Sequence, residues 1–415
     1  MQMQRSALGA RSARLNVSAV ARPLGSSSMR RGPVAAPKAA AVAGMTELQY
    51  PRTPDGAYDL SAPPPFNLSD LRAAIPAECW EKNTFKSMAY LALDVGIVAA
   101  LAIGAITVNA WWCWPLYWFA QSSMFWSLFV VGHDCGHQSF SNNRSINDLI
   151  GNIVHASILV PYHGWRISHR THHSNHGHVE NDESWHPVPK ALFDKMDPIA
   201  RVGRLSLPWS MFAYPFYLWS RSPGKVGSHY DPNCNLFTPG ERNMVLTSNA
   251  FMIGAIGVLA AATIKLGVLP MLALYVVPYW GFVLWLDAVT YLHHHGSDDP
   301  TEKMPWYRGK EWSYLRGGLT ALDRDFGIFQ KLHHDIGTHV VHHLFPQMPH
   351  YNLQKATDAA KKVMGPYYRE PVKSGLLPTH LIAPLVRSFE NDHYVDDTGD
   401  IVYYKKSESL NAKSA

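Results

Sequence analysis

Three short histidine clusters carry the residues able to do chemistry: His133-Asp-Cys-Gly-His137, His169-Arg-Thr-His172-His173 and His339-Val-Val-His342-His343. All 22 histidines of the 415 residues lie beyond position 132. Spacings of three and four bring side chains onto one face of a helix, with Cβ atoms about 5–6 Å apart. Each cluster can therefore present two or three imidazoles to one point, and neutral imidazole suits Fe, Zn, Cu and Ni. Eight donors exceed what one ion accepts, so the pattern predicts two metals in one shared site. Zinc hydrolysis finds no support, because the chain contains neither His-Glu-x-x-His nor Cys-x-x-Cys. Cys79, Cys113, Cys135 and Cys234 are scattered and form no disulfide framework, which suits a reducing compartment.

The elements that must position these histidines are apolar and long. Aromatic residues make up 12% of the chain, with 14 Trp and 19 Tyr, a composition that points to a membrane interface. The mean hydropathy of −0.13 is too low for spans alone, so a polar cap is expected as well. Four stretches reach the roughly 20 residues that a bilayer crossing needs: Met88–Ala110, Trp111–Val131, Val245–Ile264 and Val268–Leu292. They abut in pairs, which predicts two hairpins. Ile150–Tyr162 and Leu205–Trp219 are too short or too aromatic to span and are expected to lie in the interface. The net charge of +5 is modest, and no basic tract with interleaved aromatics suggests nucleic acid.

The expected fold is an all-α integral membrane protein: four transmembrane helices in two hairpins, with interfacial helices and a polar helical cap. Its divisions are a leader 1–44, a Pro-rich linker and interfacial helix 45–87, and a first hairpin 88–131. Then come cap residues 132–244, a second hairpin 245–292, cap residues 293–385 and a tail 386–415. Residues 1–46 contain no Asp or Glu but carry Arg5, Arg11, Arg14, Arg22, Arg30, Arg31 and Lys38 among many Ser and Ala. An Arg- and Ser-rich, acid-poor leader without an apolar core reads as an organelle transit peptide.

An even number of crossings returns every cluster to one face. The loops on that face hold most of the Lys and Arg, so it is expected to be cytoplasmic or stromal. Iron with imidazole ligands at a membrane can reduce O2 and attack an unactivated C–H bond, with acyl chains as natural substrates. Such chemistry needs electrons. No Gly-x-Gly-x-x-Gly fingerprint, haem attachment or ferredoxin-like cysteine run is present, so the donor is expected to be a separate protein. Asp134, Glu180, Asp182, Glu183, Asp323, Asp325 and Asp335 lie among the clusters and are candidates to orient imidazoles through their free N–H. A membrane hydroxylase would use a similar pattern. A metal transporter would instead place its ligands inside the spans, where only Asp94 and Asp287 are charged.

The three clusters resemble the histidine boxes of the membrane fatty-acid desaturases. The longer text His169-Arg-Thr-His-His-Ser-Asn-His-Gly-His-Val-Glu-Asn-Asp-Glu-Ser-Trp185, Leu292-His-His-His-Gly296, Trp306–Thr320 and His339–Tyr351 is similar to the plant and algal omega-3 members. The resemblance covers roughly residues 60–385. It implies a di-iron centre, O2 as co-substrate, and insertion of a cis double bond into lipid-linked dienoic chains, linoleoyl to α-linolenoyl. The implied ligands are His133, His137, His169, His172, His173, His339, His342 and His343, with a ninth at His294, and His293 or His295 as alternatives. It also implies a ferredoxin donor and a chloroplast membrane, envelope or thylakoid, with the metals facing the stroma. The alternative is cytochrome b5 and the endoplasmic reticulum. Omega-6 desaturases and fatty-acyl hydroxylases share the scaffold. Two departures stand beside the boxes: Gln138 where the family usually has Gly, and Ser174 where Gln is more usual.

Overall fold

The computed structural model describes residues 48–300 and 302–411; the expected transit segment, residues 1–44, lies outside the described residues. Helices dominate, and the one sheet among the described residues is a short antiparallel pairing of Trp306–Tyr307 with Ile401–Val402.

Helix α1, Leu68–Ala74, starts on a capping box between Asn67 and Asp70. It buries Leu71 completely, in a cluster with Leu353, Ala356 and Ala360 of the cap. Helix α2, Thr84–Val108, is capped by Asn83, whose side chain accepts from the Lys86 N–H at 2.9 Å. It stops at Asn109, which adopts a left-handed φ of 43°. The exposed Trp111 and Trp112 follow, an aromatic pair of the kind that sits at headgroup level. Helix α3, Cys113–Gly136, then runs back. The second long pair is α8, Arg242–Leu266, and α9, Val268–His294, joined at Gly267 with φ 93°. A π-helical turn, Leu272–Val276, interrupts α9 just after Pro270.

Among the described residues, three helical segments are long and apolar enough to cross a membrane: Thr84–Val108, Pro239–Leu266 and Val268–His294. The expected span Trp111–Val131 is not among them. Its helix has the length, 24 residues at about 1.5 Å each, but not the composition. The physical reason is its place in the bundle. Residues 121–135 of α3 are buried without interruption, so its polar side chains meet protein and not lipid. Ser123 pairs with His333 at 2.7 Å, and Ser127 donates to the Leu332 carbonyl at 2.8 Å. A helix screened from lipid can carry small polar residues at its contacts.

Both intramembrane aspartates have partners. Asp94 of α2 meets the His334 ring at 2.6 Å, with both side chains buried. Asp287 of α9 accepts from the Tyr214 N–H at 3.0 Å. Of the stretches expected at the interface, Ile150–Tyr162 overlaps the second half of the amphipathic helix α4, Arg144–Ser157, and Leu205–Trp219 runs from the end of α6, Pro198–Leu205, through a 3-10 turn, Trp209–Phe212, into α7, Tyr214–Ser220. Leu149, Ile153, Ile199, Trp209, Phe216 and Trp219 on or beside them are exposed. Residues 392–407 fold back on the cap. The Val395 N–H donates to Val188, its carbonyl accepts from Lys190, and Arg308 reaches the Asp396 and Gly399 carbonyls.

Asp94→Ala leaves the His334 nitrogen without its acceptor inside the bundle and should cost about 1–3 kcal/mol. A double-mutant cycle with His334→Leu, read by thermal unfolding in detergent, measures the coupling. An unchanged midpoint in Asp94→Ala would show that the pair contributes nothing.

Candidate metal centre

Four helix ends converge above the bundle. His133 and His137 lie where α3 ends. His169, His172 and His173 lie on the last turns of α5, Tyr162–Asn175. His294 closes α9, and α10, His339–Leu344, carries the third box. That last helix has six residues and no side-chain bond from its N-cap Thr338. Asp323 supplies the missing cap, accepting the His339 and Val340 N–H groups at 2.6 and 2.8 Å. Its neighbour Arg324 donates to the carbonyls of Leu292, His295 and Gly296 at the end of α9, where a cation complements the helix dipole. The Leu322 N–H binds the His293 carbonyl at 2.9 Å. Residues 322–324 thus tie the third box to His294.

The donor atoms form groups, each within 4.8 Å: His133, His137, His169, His173 and His342 in one; His172, His176 and His294 in another; His294, His339 and His343 in a third. Sharing of His294 joins the last two, so two adjoining sites result. His173 and His343 stack between them at 4.1 Å. The Nε2 atoms face each other at 3.1 Å for His169–His173, 3.0 Å for His339–His343, 3.2 Å for His172–His294 and 3.4 Å for His294–His339. Imidazoles about 2.0–2.1 Å from a shared ion stand at such separations. His137 and His342 each keep a buried Nε2 without a protein partner. The residues present fit two metal ions with nitrogen ligands.

The supporting groups are specific. Asp182, fully buried, accepts from His172 Nδ1 at 2.6 Å and from His176 Nδ1 at 3.2 Å. Burial opposes its charge, yet the two histidines hold its carboxyl well below the usual range. Glu183 forms a two-point pair with Arg221 at 2.7 and 2.8 Å. Asp134 makes two long contacts, with His133 Nδ1 and with the His350 N–H, each at 3.4 Å. Glu180, Asp325 and Asp335 serve elsewhere: Glu180 pairs with Arg308, Asp325 accepts from the Gly327 N–H, and Asp335 binds Lys331.

Of the three consecutive histidines, His294 joins the groups. His293 donates Nδ1–H to the Leu322 carbonyl at 2.7 Å and stacks on His339. His295 turns away to Tyr404 at 2.8 Å. His176 was not anticipated, although it continues the second box at i+4 from His172. Both of its nitrogens are engaged, with Asp182 and with Thr320 at 3.2 Å. Gln138 adopts φ 62°, a conformation glycine takes freely and that costs other residues about 1–2 kcal/mol. This accounts for the glycine usual there. Ser174 is exposed and touches no donor group.

A cavity of about 1200 Å³ reaches His133, His169, His172, His293, His294 and His339 and runs along α3, α9 and α6–α7. Its walls are mostly apolar, including Trp126, Phe129, Leu286 and Val289.

Residues 87–373 match the fatty acid desaturase family, and residues 4–103 match a domain of unknown function. The chain belongs to the fatty acid desaturase family. It is 61% identical over 353 residues to the chloroplastic omega-3 fatty acid desaturase of Ricinus communis, covering 85% of this chain and 76% of that one. It is 59% identical over 370 residues to the temperature-sensitive sn-2 acyl-lipid omega-3 desaturase (ferredoxin), chloroplastic, of Arabidopsis thaliana, covering 89% and 84%. The endoplasmic reticulum omega-3 fatty acid desaturase of Vigna radiata var. radiata is 58% identical over 357 residues, covering 86% and 93%.

Asp182→Ala should weaken metal affinity about 10–100-fold, read by metal titration with helix content unchanged; full affinity would remove its orienting role. The histidines also set a pH dependence. Burial first, then neighbouring imidazoles, hold His137, His169, His173, His339, His342 and His343 well below the ordinary range. Unfolded, they titrate near about 6.5. Below that pH the unfolded chain binds more protons, so stability is full above about 6.5 and is lost on acidification. The metal-free protein should therefore show a thermal midpoint that falls from about pH 7 to pH 5; bound metal should raise the midpoint, and because its ligands must stay unprotonated the fall on acidification should remain.

Proposed function

We propose that this chain is an O2-dependent acyl-lipid omega-3 desaturase that converts linoleoyl to α-linolenoyl chains on membrane glycerolipids with electrons from a ferredoxin. The observation that carries this reading is the convergence of three histidine boxes and His294 beside an apolar cavity, in a chain about 60% identical to omega-3 desaturases over most of its length. His133, His137, His169, His173 and His342 hold one iron; His172, His294, His339 and His343 hold the other, with Asp182 and Asp323 positioning them. The bound irons supply the power to activate O2. The reaction takes two vicinal hydrogens from the chain with two electrons and two protons from outside, and yields a cis double bond and two waters. The protein's own part is to hold these imidazoles in place, hold the chain against them, and exclude water from the cavity.

Four crossings support the arrangement, with α3 as the fourth. Both α3 and α9 end in ligands. The starts of α2 and α8 lie at the same cap, through Asn83 to Tyr351 at 2.8 Å and Glu241 to Arg170 at 2.6 Å. The cap faces the stroma. Because the matched body also resembles an endoplasmic reticulum enzyme, the Arg- and Ser-rich leader is what favours the plastid.

Expression with a ferredoxin donor in a host lacking trienoic acids and fed linoleic acid should produce α-linolenic acid. His172→Ala and His342→Ala should abolish it while leaving inserted protein. A diene from oleate would move the chain to the omega-6 class, a hydroxylated chain would make it a hydroxylase, and full activity in either histidine variant would remove the assigned site.

A further inference from the structure

The cavity beside the metal centre has two unlike ends. One is lined by Arg204, Ser220 and Lys225, and Ser220, Ile199, Trp209 and Phe216 there are exposed. That end is polar and open. The other is lined by Trp126, Phe129, Val130, Trp165, Leu286 and Ile336, each of them buried. The Phe129 ring is clamped there: it stacks on Trp126 at 5.1 Å and on His155 at 4.9 Å, and meets Trp165 edge-on at 4.9 Å. Trp165 in turn stacks on His169 at 4.6 Å.

We propose that Phe129, backed by Trp126 and flanked by Ile336, is the stop against which the methyl end of the acyl chain rests, and that it sets where the double bond falls. The proposal rests on the desaturase reading above. An amphipathic lipid leaves its ester at the polar mouth and sends its hydrocarbon end into the dry pocket. A position counted from the methyl end requires a stop at that end, since a chain metered from its ester would react at a place that moves with chain length. The depth agrees. Phe129 lies four residues before His133 on the same face of α3, one turn or about 5.4 Å away. The two-carbon end beyond an omega-3 double bond is shorter than one such turn. Packing on three sides makes the ring a rigid stop.

Two measurements test this. Wild type, Phe129→Leu and Ile336→Ala are expressed with oleic and linoleic acids, and double-bond positions are read by mass spectrometry of derivatised products. Wild type should give the omega-3 product alone. Phe129→Leu should add products with the double bond one or more carbons farther from the methyl end, including a diene from oleate, and Ile336→Ala should do so to a smaller degree. Unshifted positions in active variants would overturn the stop while leaving the desaturase reading intact; absence of the omega-3 product from wild type would overturn that reading instead. The second measurement needs no turnover. A phosphatidylcholine carrying a diazirine at the methyl end of its sn-2 chain is photolysed in metal-free wild-type protein. Label on residues 126–130 or Ile336 supports the stop, and label on Trp209, Phe216 or Trp280 places the methyl end elsewhere and overturns it.

Discussion

The structure is organised around one unfavourable act: burying a set of uncharged imidazoles with their nitrogens turned toward each other. Each buried donor or acceptor left unmatched costs about 1–3 kcal/mol; His137 and His342 keep a buried Nε2 unmatched, and the Nε2 atoms of His172, His173, His294, His339 and His343 face other imidazole nitrogens. Only groups that accept nitrogen lone pairs offset this, which is the physical meaning of a metal site built before its metals arrive. The orientation cannot be left to the helices alone. Asp182 fixes the ring of His172, the Leu322 carbonyl turns His293 away from the metals, and Asp323 starts the third-box helix where no local cap exists. Arg324 ties that start to the end of α9.

Burial of the same cluster shapes the bundle below it. Helix α3 ends in the first box, so it occupies the middle of the protein and loses contact with lipid over its second half. Freed from lipid, it carries Gln121, Ser122, Ser123 and Ser127, and a cap segment through His333 and His334 reaches down to bind α3 and α2. Asp94 is tolerated in an apolar helix because that histidine meets it there. The long cavity follows from the same geometry, since α3 and α9 each bring clustered histidines at their end and an apolar face beneath them.

Much of the site was legible because its spacing is local. Positions three and four apart meet on any helix, so the boxes could be grouped before their helices were placed. The same locality showed that the apolar runs abut in pairs, and the structure breaks them at Asn109 and Gly267. It failed where the deciding contact is remote. Asp323 and Asp325 look alike in the chain, yet only Asp323 caps the box helix. Arg324 drew no notice, since its partners stand about thirty residues earlier. The polar content of α3 disqualified it by hydropathy although its length is that of a span, because hydropathy assumes a lipid-facing helix.

The sequence by itself determined which side chains could bind metal and which runs could cross a membrane, since each depends on residue type and short spacing. Tertiary structure alone decided how the imidazoles divide between two sites, that His294 and not its neighbours joins them, which carboxylates orient rings, and where the cavity closes. Those are matters of distance between residues far apart in the chain, and distance is settled only when the helices pack.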